Sequence, residues 1–254
     1  MTSDMETGTK PLSSRRMWLA AVLGAIAIAI LLSLGTWQMQ RLYWKEDLLA
    51  TIDRRMHAEP LALAEAERLF AETSDVDYVP ITATGSFVHE GERHFLATWK
   101  GQSGFYVYTP LKLGDGRFLL VNRGFVPYWL KEASSRSAGQ VDGVVTVRGL
   151  ARNPLSEKPS SMVPDNDLAK NIFYWKDRDV MAASAGLPDG YALLPFFLDA
   201  DSSPNPGDWP AGGVTIISLP NNHLQYAVTW YGLAAALAGV MLFSFAGRRR
   251  RTKR

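Results

Sequence analysis

The sequence of 254 residues contains no cysteine. Thiol redox chemistry and copper transfer through a Cys-x-x-Cys motif both need cysteine thiolates, so both functions are excluded. Charge is missing from one long stretch, because no ionisable side chain occurs between Met17 and Gln40. A second stretch, from Trp209 to Gly247, has His223 as its one ionisable group besides tyrosines. Uncharged apolar runs of this length predict membrane helices near both ends of the chain.

Both runs are long enough to cross a lipid bilayer. About 20 residues, each rising about 1.5 Å in a helix, span the roughly 30 Å of hydrocarbon. We predict membrane-spanning helices at residues 17–36 and 224–246. A single domain of ordinary size, residues 37–223, lies between them. Short tails at residues 1–16 and 247–254 complete this division.

Basic residues beside the spans predict the orientation of the chain. Five arginines and one lysine follow the second span within residues 248–254, and the positive-inside rule places such a cluster in the cytoplasm. An even number of spans then puts the N-terminus in the cytoplasm too. The central domain is expected on the periplasmic side of a bacterial cell inner membrane.

The first span has an alternative interpretation as a cleaved signal peptide, since Lys10, Arg15 and Arg16 precede it. Its apolar stretch is longer than the roughly 7 to 15 residues of such peptides, and bulky Trp37 follows it in place of a small-residue cleavage site. A retained anchor is therefore the favoured interpretation.

Motifs for several enzyme classes are missing. The sequence has no Gly-x-Ser-x-Gly elbow, Walker A loop, dinucleotide-binding glycine pattern or His-Glu-x-x-His. Hydrolase, NTPase and zinc-protease functions have no support, and we expect a protein that is not an enzyme. Nucleic-acid binding is not expected either, because the basic tail accounts for more than the whole net charge of +2.

Histidines are few, at positions 57, 89, 94 and 223. His89 and His94 flank a turn, yet two ligands without a third carboxylate or cysteine make a weak metal site. We expect these two to be solvated loop residues.

The chain after residue 77 is rich in β-branched and aromatic residues and predicts strands. Gly114-Asp115-Gly116 separates two of the runs and predicts a tight hairpin turn, because glycine tolerates positive φ. The predicted strands are Tyr78–Phe87, Arg93–Trp99, Phe105–Leu113, Arg117–Val126, Val144–Leu150, Asn171–Trp175 and Tyr191–Asp199.

Helical spacing predicts three further segments in the central domain. They are an extension of the first span over Trp37–Leu48, a helix over Leu61–Ala71 and a short helix near Asp179–Ala185. Ser134–Gln140 is among the segments predicted as loops. The expected fold class is a membrane protein with two transmembrane α-helices flanking a β-rich α+β outer domain, built as a mostly antiparallel sheet or partial barrel.

His223 lies in Pro220-Asn221-Asn222-His223, where the second span begins and where either asparagine can cap the helix. A helix N-terminus disfavours the imidazolium form, and the neutral imidazole is the form that ligates metal or haem iron. The alternative is an interfacial histidine that is hydrogen-bonded to a cap or a lipid headgroup.

Polar and aromatic residues follow the first span at helical spacing. They are Trp37, Gln38, Arg41, Trp44 and Lys45. A membrane-interface anchor is one interpretation of this pattern. In the other, Gln38 and Arg41 reach toward His223 if the two helices pack together. Gly232 and Gly239 give the second helix a small-residue face suited to such packing.

Four patches of the sequence stand out together. They are Leu34-Gly35-Thr36-Trp37-Gln38 with Arg41, Trp44 and Lys45; Val121-Asn122-Arg123-Gly124-Phe125-Val126-Pro127; Val147-Arg148-Gly149; and Asn221-Asn222-His223-Leu224-Gln225-Tyr226 with Thr229-Trp230-Tyr231-Gly232-Leu233-Ala234. Together they resemble the surfeit-locus family of cytochrome oxidase assembly factors. Phe125 stands where that family usually has tryptophan, which is a conservative change.

The resemblance implies an assembly factor for haem-copper cytochrome c oxidase that binds haem a and assists its delivery to, or retention in, the catalytic subunit. It implies that His223 ligates the haem iron and that the partners are the oxidase catalytic subunit and the haem a synthesis machinery, in a lipid bilayer. Arg41 is the expected partner of a haem propionate through charge-assisted hydrogen bonds.

A haem-free scaffold that stabilises oxidase assembly intermediates is the alternative function. It predicts the same topology and differs at His223. Arg123, at a strand end, is expected to support the outer domain or its docking, with a plain surface arginine as the alternative.

Overall fold

The computed structural model describes residues 14–215 and 220–251. They form two compact units, one from the described parts of Met1–Ala50 and Leu219–Arg254, the other from those of Thr51–Ser218. The helices are α1 (Ser14–Met56), α2 (Leu63–Thr73), α3 (Arg178–Ser184) and α4 (His223–Arg251).

Two of these helices, α1 and α4, are long and apolar enough to cross a membrane. The candidate spans are Trp18–Met56 and His223–Ala246, so the predicted spans lie within α1 and α4. The predicted helical extension of the first span is confirmed, and α1 continues past Leu48 to Met56. Of the predicted tails, residues 1–13 and 252–254 lie outside the described residues.

Seven strands form the sheet of the second unit. The first of them is a two-residue strand that pairs parallel with the second. The strands are β1 (Leu61–Ala62), β2 (Pro80–Phe87), β3 (Arg93–Trp99), β4 (Gln102–Leu113), β5 (Phe118–Pro127), β6 (Val144–Arg152) and β7 (Leu193–Ala200).

Five strands close into a barrel in the order β2-β6-β7-β5-β4, because β4 pairs again with β2. If these five strands are renumbered 1 to 5 in chain order, their order around the barrel is 1-4-5-3-2. The third and fifth of them, β5 and β7, are parallel, as in an OB-fold. All other neighbours in the barrel are antiparallel. The prediction of a mostly antiparallel sheet or barrel is therefore confirmed.

Closure of the barrel depends on a close approach between β2 and β4. Gly85 pairs with Leu113 at this point, and a Cβ atom on Gly85 would collide with the carbonyl oxygen of Lys112. Glycine in a strand commonly marks such an approach of another backbone. Any larger residue would force β2 away from β4.

An apolar core fills the barrel and continues under α2. Ala66 of α2 is fully buried in this cluster, and Arg117 at the start of β5 donates to Glu67 of the same helix, with Nη2 3.0 Å from Oε1. The strand residues of the core come from alternate positions, as expected for inward-facing side chains. They include Ile81, Ala83, Leu111, Leu113, Leu119, Val121, Leu194, Phe196 and Leu198.

The β4–β5 hairpin turn forms where the sequence predicts it. Gly116 adopts a φ of 86°, and its N–H donates to the carbonyl of Leu113 at 3.0 Å. The Asp115 side chain accepts from the backbone N–H of Arg117 at 3.0 Å. Aspartate thus fixes the turn that glycine permits.

Three local predictions differ from the structure. Asn171–Trp175 is not a strand, because Ile172 and Phe173 make only single bridges, to Asp167 and Phe95, and Asn171 before them has a φ of 51°. Leu61 and Ala62 belong to β1, so α2 begins two residues later than predicted. The loop predicted at Ser134–Gln140 consists of 3₁₀ turns over Ala133–Gly139.

The last turn of α1 is tied to the domain by a shared carboxylate. Arg55 donates to Asp75 at 2.8 Å, and the Asn153 side chain donates to the other carboxylate oxygen at 2.9 Å. The Arg55 hydrogen bond outweighs the opposing effect of burial and lowers the pKa of Asp75 to about 2. Folding therefore favours the ionised form of this side chain.

We expect Asp75→Asn to destabilise the protein at neutral pH by less than about 1 kcal/mol, because the Asp75 side chain is 42% exposed and solvent screens the ion pair. Folding lowers this pKa, so the contribution is complete above the ordinary value of 3.8 and is lost as pH falls toward about 2. Urea unfolding at several pH values measures the difference. Asp189→Asn, at an exposed turn, is the control; a deficit for Asp75→Asn that persists at pH 2 would contradict the assignment.

Candidate functional site

A hydrogen bond joins α1 to the first residue of α4. Nδ1 of His223 lies 2.7 Å from Oε1 of Gln38. An amide oxygen only accepts, so Nδ1 carries the proton and donates. In the neutral ring the lone pair then resides on Nε2. This is the arrangement of metal-ligating histidines, whose second nitrogen is held by a hydrogen bond.

Two further contacts hold the same ends of the helices together. Nζ of Lys45 donates to the carbonyl of Pro220. About two turns further into α4, the hydroxyl of Tyr231 lies 3.1 Å from Oγ1 of Thr36. Thr36 already donates to the carbonyl of Leu32 at 2.9 Å, so Tyr231 is the donor of this pair.

Arg41 lies on the same face of α1 as Gln38 and Lys45, at helical spacing between them. Its guanidinium stacks on Trp44, with Cζ 4.3 Å from the ring centroid. The structure thus brings Gln38 to His223 but records no contact between Arg41 and His223 among the described residues. The predicted role of Arg41 toward a propionate stays a prediction.

Close packing of the helix pair depends on glycines of α1. A Cβ atom on Gly35 would lie 2.7 Å from Cε1 of Tyr231, and one on Gly24 would collide with the Met241 side chain. Gly232 and Gly239 have nothing within 4 Å of a built Cβ atom. The predicted close packing of these two glycines is therefore wrong, but Ala234, which lies between them on the same helix, is buried.

Asn222 occupies the predicted cap position before α4, and its carbonyl accepts from the N–H of Tyr226 at 3.2 Å. The helix begins at His223 itself. The side-chain oxygen of Asn221 is buried and has no hydrogen-bond partner among the described residues, so it caps no N–H there. It adds an unsatisfied acceptor next to the histidine.

His94 is buried inside the domain and His89 is half-buried, contrary to the prediction of solvated loops. His94 is 5% exposed and donates from Nε2 to Glu92 at 2.8 Å, whereas Nε2 of His89 donates to the carbonyl of Val141 at 2.9 Å. Arg136 is the second partner of Glu92. Burial alone would raise the pKa of Glu92, but the hydrogen bonds from His94 and Arg136 outweigh it and lower that pKa.

These two histidines do not form a metal centre. They have different hydrogen-bond partners, and in the described ranges no three metal-ligating side chains of His, Cys, Asp or Glu lie together. The network around Glu92 instead connects β3 to the 3₁₀ turns that follow β5. Sequence reasoning missed it because Arg136, 44 positions away from Glu92, gives no local signal.

Arg123 is 2% exposed and is not a surface arginine. Its Nη2 donates to the carbonyl of Gly139, and its Cζ lies 4.6 Å from the ring centroid of Phe87. The neighbouring Gly124 has a φ of 126° and approaches the backbone of Ala211 too closely for a side chain. The Asn-Arg-Gly patch thus has a structural role in the barrel, as predicted for Arg123.

The fold and the site define a class of protein with two candidate membrane helices, joined by a histidine–glutamine hydrogen bond, and a closed β-barrel domain. The model of the SURF1 family matches residues 25–235. The chain belongs to this family, which is known for cytochrome oxidase assembly factors, and the prediction from the four sequence patches is confirmed.

Similar proteins occur across animals and their unicellular relatives. Surfeit locus protein 1 of Rattus norvegicus is 37% identical over 232 residues, which cover 85% of this chain and 72% of the rat protein. The protein of the same name from Homo sapiens is 37% identical over 220 residues, which cover 80% of this chain and 70% of the human protein. A SURF1-like protein of Monosiga brevicollis is 35% identical over 223 residues, which cover 83% of this chain and 81% of the Monosiga protein.

We expect Gly35→Leu to weaken the packing of α1 on α4 by about 1 to 3 kcal/mol, because the new side chain collides with Tyr231. The chain has no cysteine, so a Gly24→Cys, Met241→Cys pair reports helix contact through disulfide formation in oxidised membranes. Gly35→Leu should slow this cross-link severalfold, whereas Gly232→Leu, at an open position, should leave it unchanged. Equal rates in both variants would contradict the packing.

Proposed function

We propose that this protein assists the assembly of a haem-copper cytochrome c oxidase by binding haem a through His223. In this proposal it assists delivery of the haem to, or its retention in, the oxidase catalytic subunit, next to the machinery that synthesises haem a. Family membership supports the assembly role. The hydrogen bond from His223 to Gln38 is the observation that carries the haem-binding role.

The residues at this site fit a haem group. Gln38 accepts from Nδ1 and leaves the Nε2 lone pair of His223 without a hydrogen-bond partner among the described residues. Haem iron commonly takes a histidine nitrogen as its axial ligand. When bound, haem a would supply the iron that accepts this lone pair. Gln38 would fix the tautomer and the direction of the ring, as partners of ligating histidines do.

Charge near the site suits the propionates of a haem. Arg41 is exposed and makes no hydrogen bond or ion pair in the part of the chain that the structure describes. Its guanidinium donors therefore remain available for a carboxylate. Lys45 is less suited to this role, because its ammonium group already donates to Pro220.

A haem-free scaffold is the second candidate function. Its support is that the bonds of Gln38, Lys45 and Thr36 join α1 to α4 without any cofactor. On this account the histidine–glutamine bond acts only as a link between helices. The two functions differ in what happens to haem when His223 is replaced.

We expect the full-length protein purified from cells that make haem a to show a Soret band, and His223→Ala to lose or shift that band. Gln38→Leu should weaken haem retention by about tenfold or more, which is the usual effect of removing the partner of a ligating histidine. Gln40→Leu is the matched control, because Gln40 is exposed on the same helix.

An unchanged spectrum and haem content in His223→Ala would contradict haem ligation. Retained assembly of the oxidase with that variant would then favour the scaffold. Equal effects of Gln38→Leu and Gln40→Leu would contradict the orienting role of Gln38.

The orientation of the chain is part of the same proposal. With both tails in the cytoplasm of a bacterial cell, the barrel lies in the periplasm, where the outer mouth of the helix pair carries His223. Alkaline phosphatase inserted after Met162, which is 91% exposed, should be active, and a fusion after Arg254 should be inactive. The reverse result would contradict this topology.

A further inference from the structure

A cavity of about 260 Å³ lies where β2 and β7 end and β6 begins, beside Arg123 of β5. Its walls are partly apolar, with Phe87, Val145 and Pro204 among them. Three charged side chains also line it. These are Arg123, Arg148 and Asp201.

Arg123 is a buried cation with an unused donor. Its Nη1 is buried and has no hydrogen-bond partner among the described residues. The nearby Glu92 is already bonded to His94 and Arg136, so it is not free to neutralise Arg123. Burial lowers the pKa of Arg123 to about 10, which still leaves the guanidinium charged at neutral pH. A buried charge without an ionic partner is costly, and an anion would compensate it.

Arg148 supplies a second guanidinium to the same cavity. Its side chain is exposed on β6 and has no ion pair within the described ranges. Two arginines and one aspartate leave the lining with a single positive charge. A monoanion matches this charge, whereas a dianion such as phosphate would be repelled by Asp201. The chemistry of the cavity therefore favours a carboxylate.

The edge of β6 beside the cavity is open. β6 pairs with β2 from Val144 to Leu150, but with β7 only from Gly149 onward. The carbonyl of Arg148 accepts from the N–H of Asp201 on the β7 side at 2.9 Å. Backbone groups alternate along a strand, so those of Thr146 point to the same side, beyond the end of β7. An extended peptide can pair with such an edge.

We propose that this cavity, the Arg123–Arg148 pocket, binds an extended peptide of a partner protein and takes up the carboxylate of one acidic residue. The carboxylate pairs with the exposed guanidinium of Arg148, and the buried charge of Arg123 in the same lining attracts it. The peptide backbone pairs with β6 at Thr146, and the apolar walls cover the neighbouring side chains. This site is separate from His223 and does not depend on haem binding.

Calorimetric titration of the full-length protein in uncharged detergent tests the pocket. The probe is acetyl-Val-Glu-Val-amide, and its neutral counterpart is acetyl-Val-Gln-Val-amide. We expect the acidic peptide to bind at least about tenfold more tightly, because its contact with Arg148 is charge-assisted. Butyrate and inorganic phosphate, which lack a peptide backbone, should each bind more weakly than the acidic peptide.

Arg148→Gln is the decisive variant, since its exposed side chain makes no hydrogen bond among the described residues and its loss leaves the fold intact. It should reduce binding of the acidic peptide about tenfold. Arg68→Gln, at an exposed arginine of α2, should not change it. Equal binding of the two peptides, or an Arg148→Gln protein that binds like wild type, would overturn the carboxylate site. If butyrate bound as tightly as the acidic peptide, the proposed pairing of the peptide backbone with β6 would be overturned. If phosphate bound as tightly, the preference for a carboxylate would be overturned.

Discussion

The hydrogen bond between Nδ1 of His223 and Oε1 of Gln38 connects the two helices at the point where a ligand would be held. Gln38 follows the predicted first span within α1, and His223 is the first residue of α4. Both side chains are half-buried, so the bond orients the ring more firmly than a fully exposed bond would. It sets the tautomer of the imidazole and the nitrogen that can ligate iron.

Packing of the helices makes this bond attainable. Gly35 lets the ring of Tyr231 approach α1, and Tyr231 then donates to Thr36 one half-turn before Gln38. Lys45 repeats the connection two turns later by donating to Pro220. Gln38 and Lys45 lie on one face of α1, which explains why polar residues recur there beside aromatic ones. The barrel has its own core and an interior ion-pair network, so its stability does not rest on these contacts.

Sequence patterns predict the local elements of this protein well. Alternating β-branched and aromatic residues give β3 with its observed ends, and Gly114-Asp115-Gly116 gives the hairpin turn. Closure of the barrel is not predictable in this way, because it depends on β2 meeting β4 at Gly85. The predicted strand at Asn171–Trp175 shows the reverse problem, since a favourable composition gives only single bridges there.

Part of the candidate site can be predicted from the sequence in the same way. Helical spacing placed Gln38 and Arg41 on one face, and the pairing of Gln38 with His223 then required only that the helices pack. Burial was harder to foresee, because His94 and Arg123 are polar residues whose partners are distant in sequence. Polar side chains are mostly exposed in proteins, so a pattern of local sequence gives no reason to expect these exceptions.

The protonation of the His223 ring tests the central claim most directly. Full-length protein labelled with ¹⁵N at histidine, in lipid vesicles and at mildly alkaline pH, reports by NMR which ring nitrogen carries the proton, and a His223→Ala sample identifies the signals. The account predicts a protonated, hydrogen-bonded Nδ1 and a bare Nε2, with this preference lost in Gln38→Leu and kept in Gln40→Leu. A proton on Nε2 of the wild-type ring, or a spectrum that Gln38→Leu leaves unchanged, would contradict it.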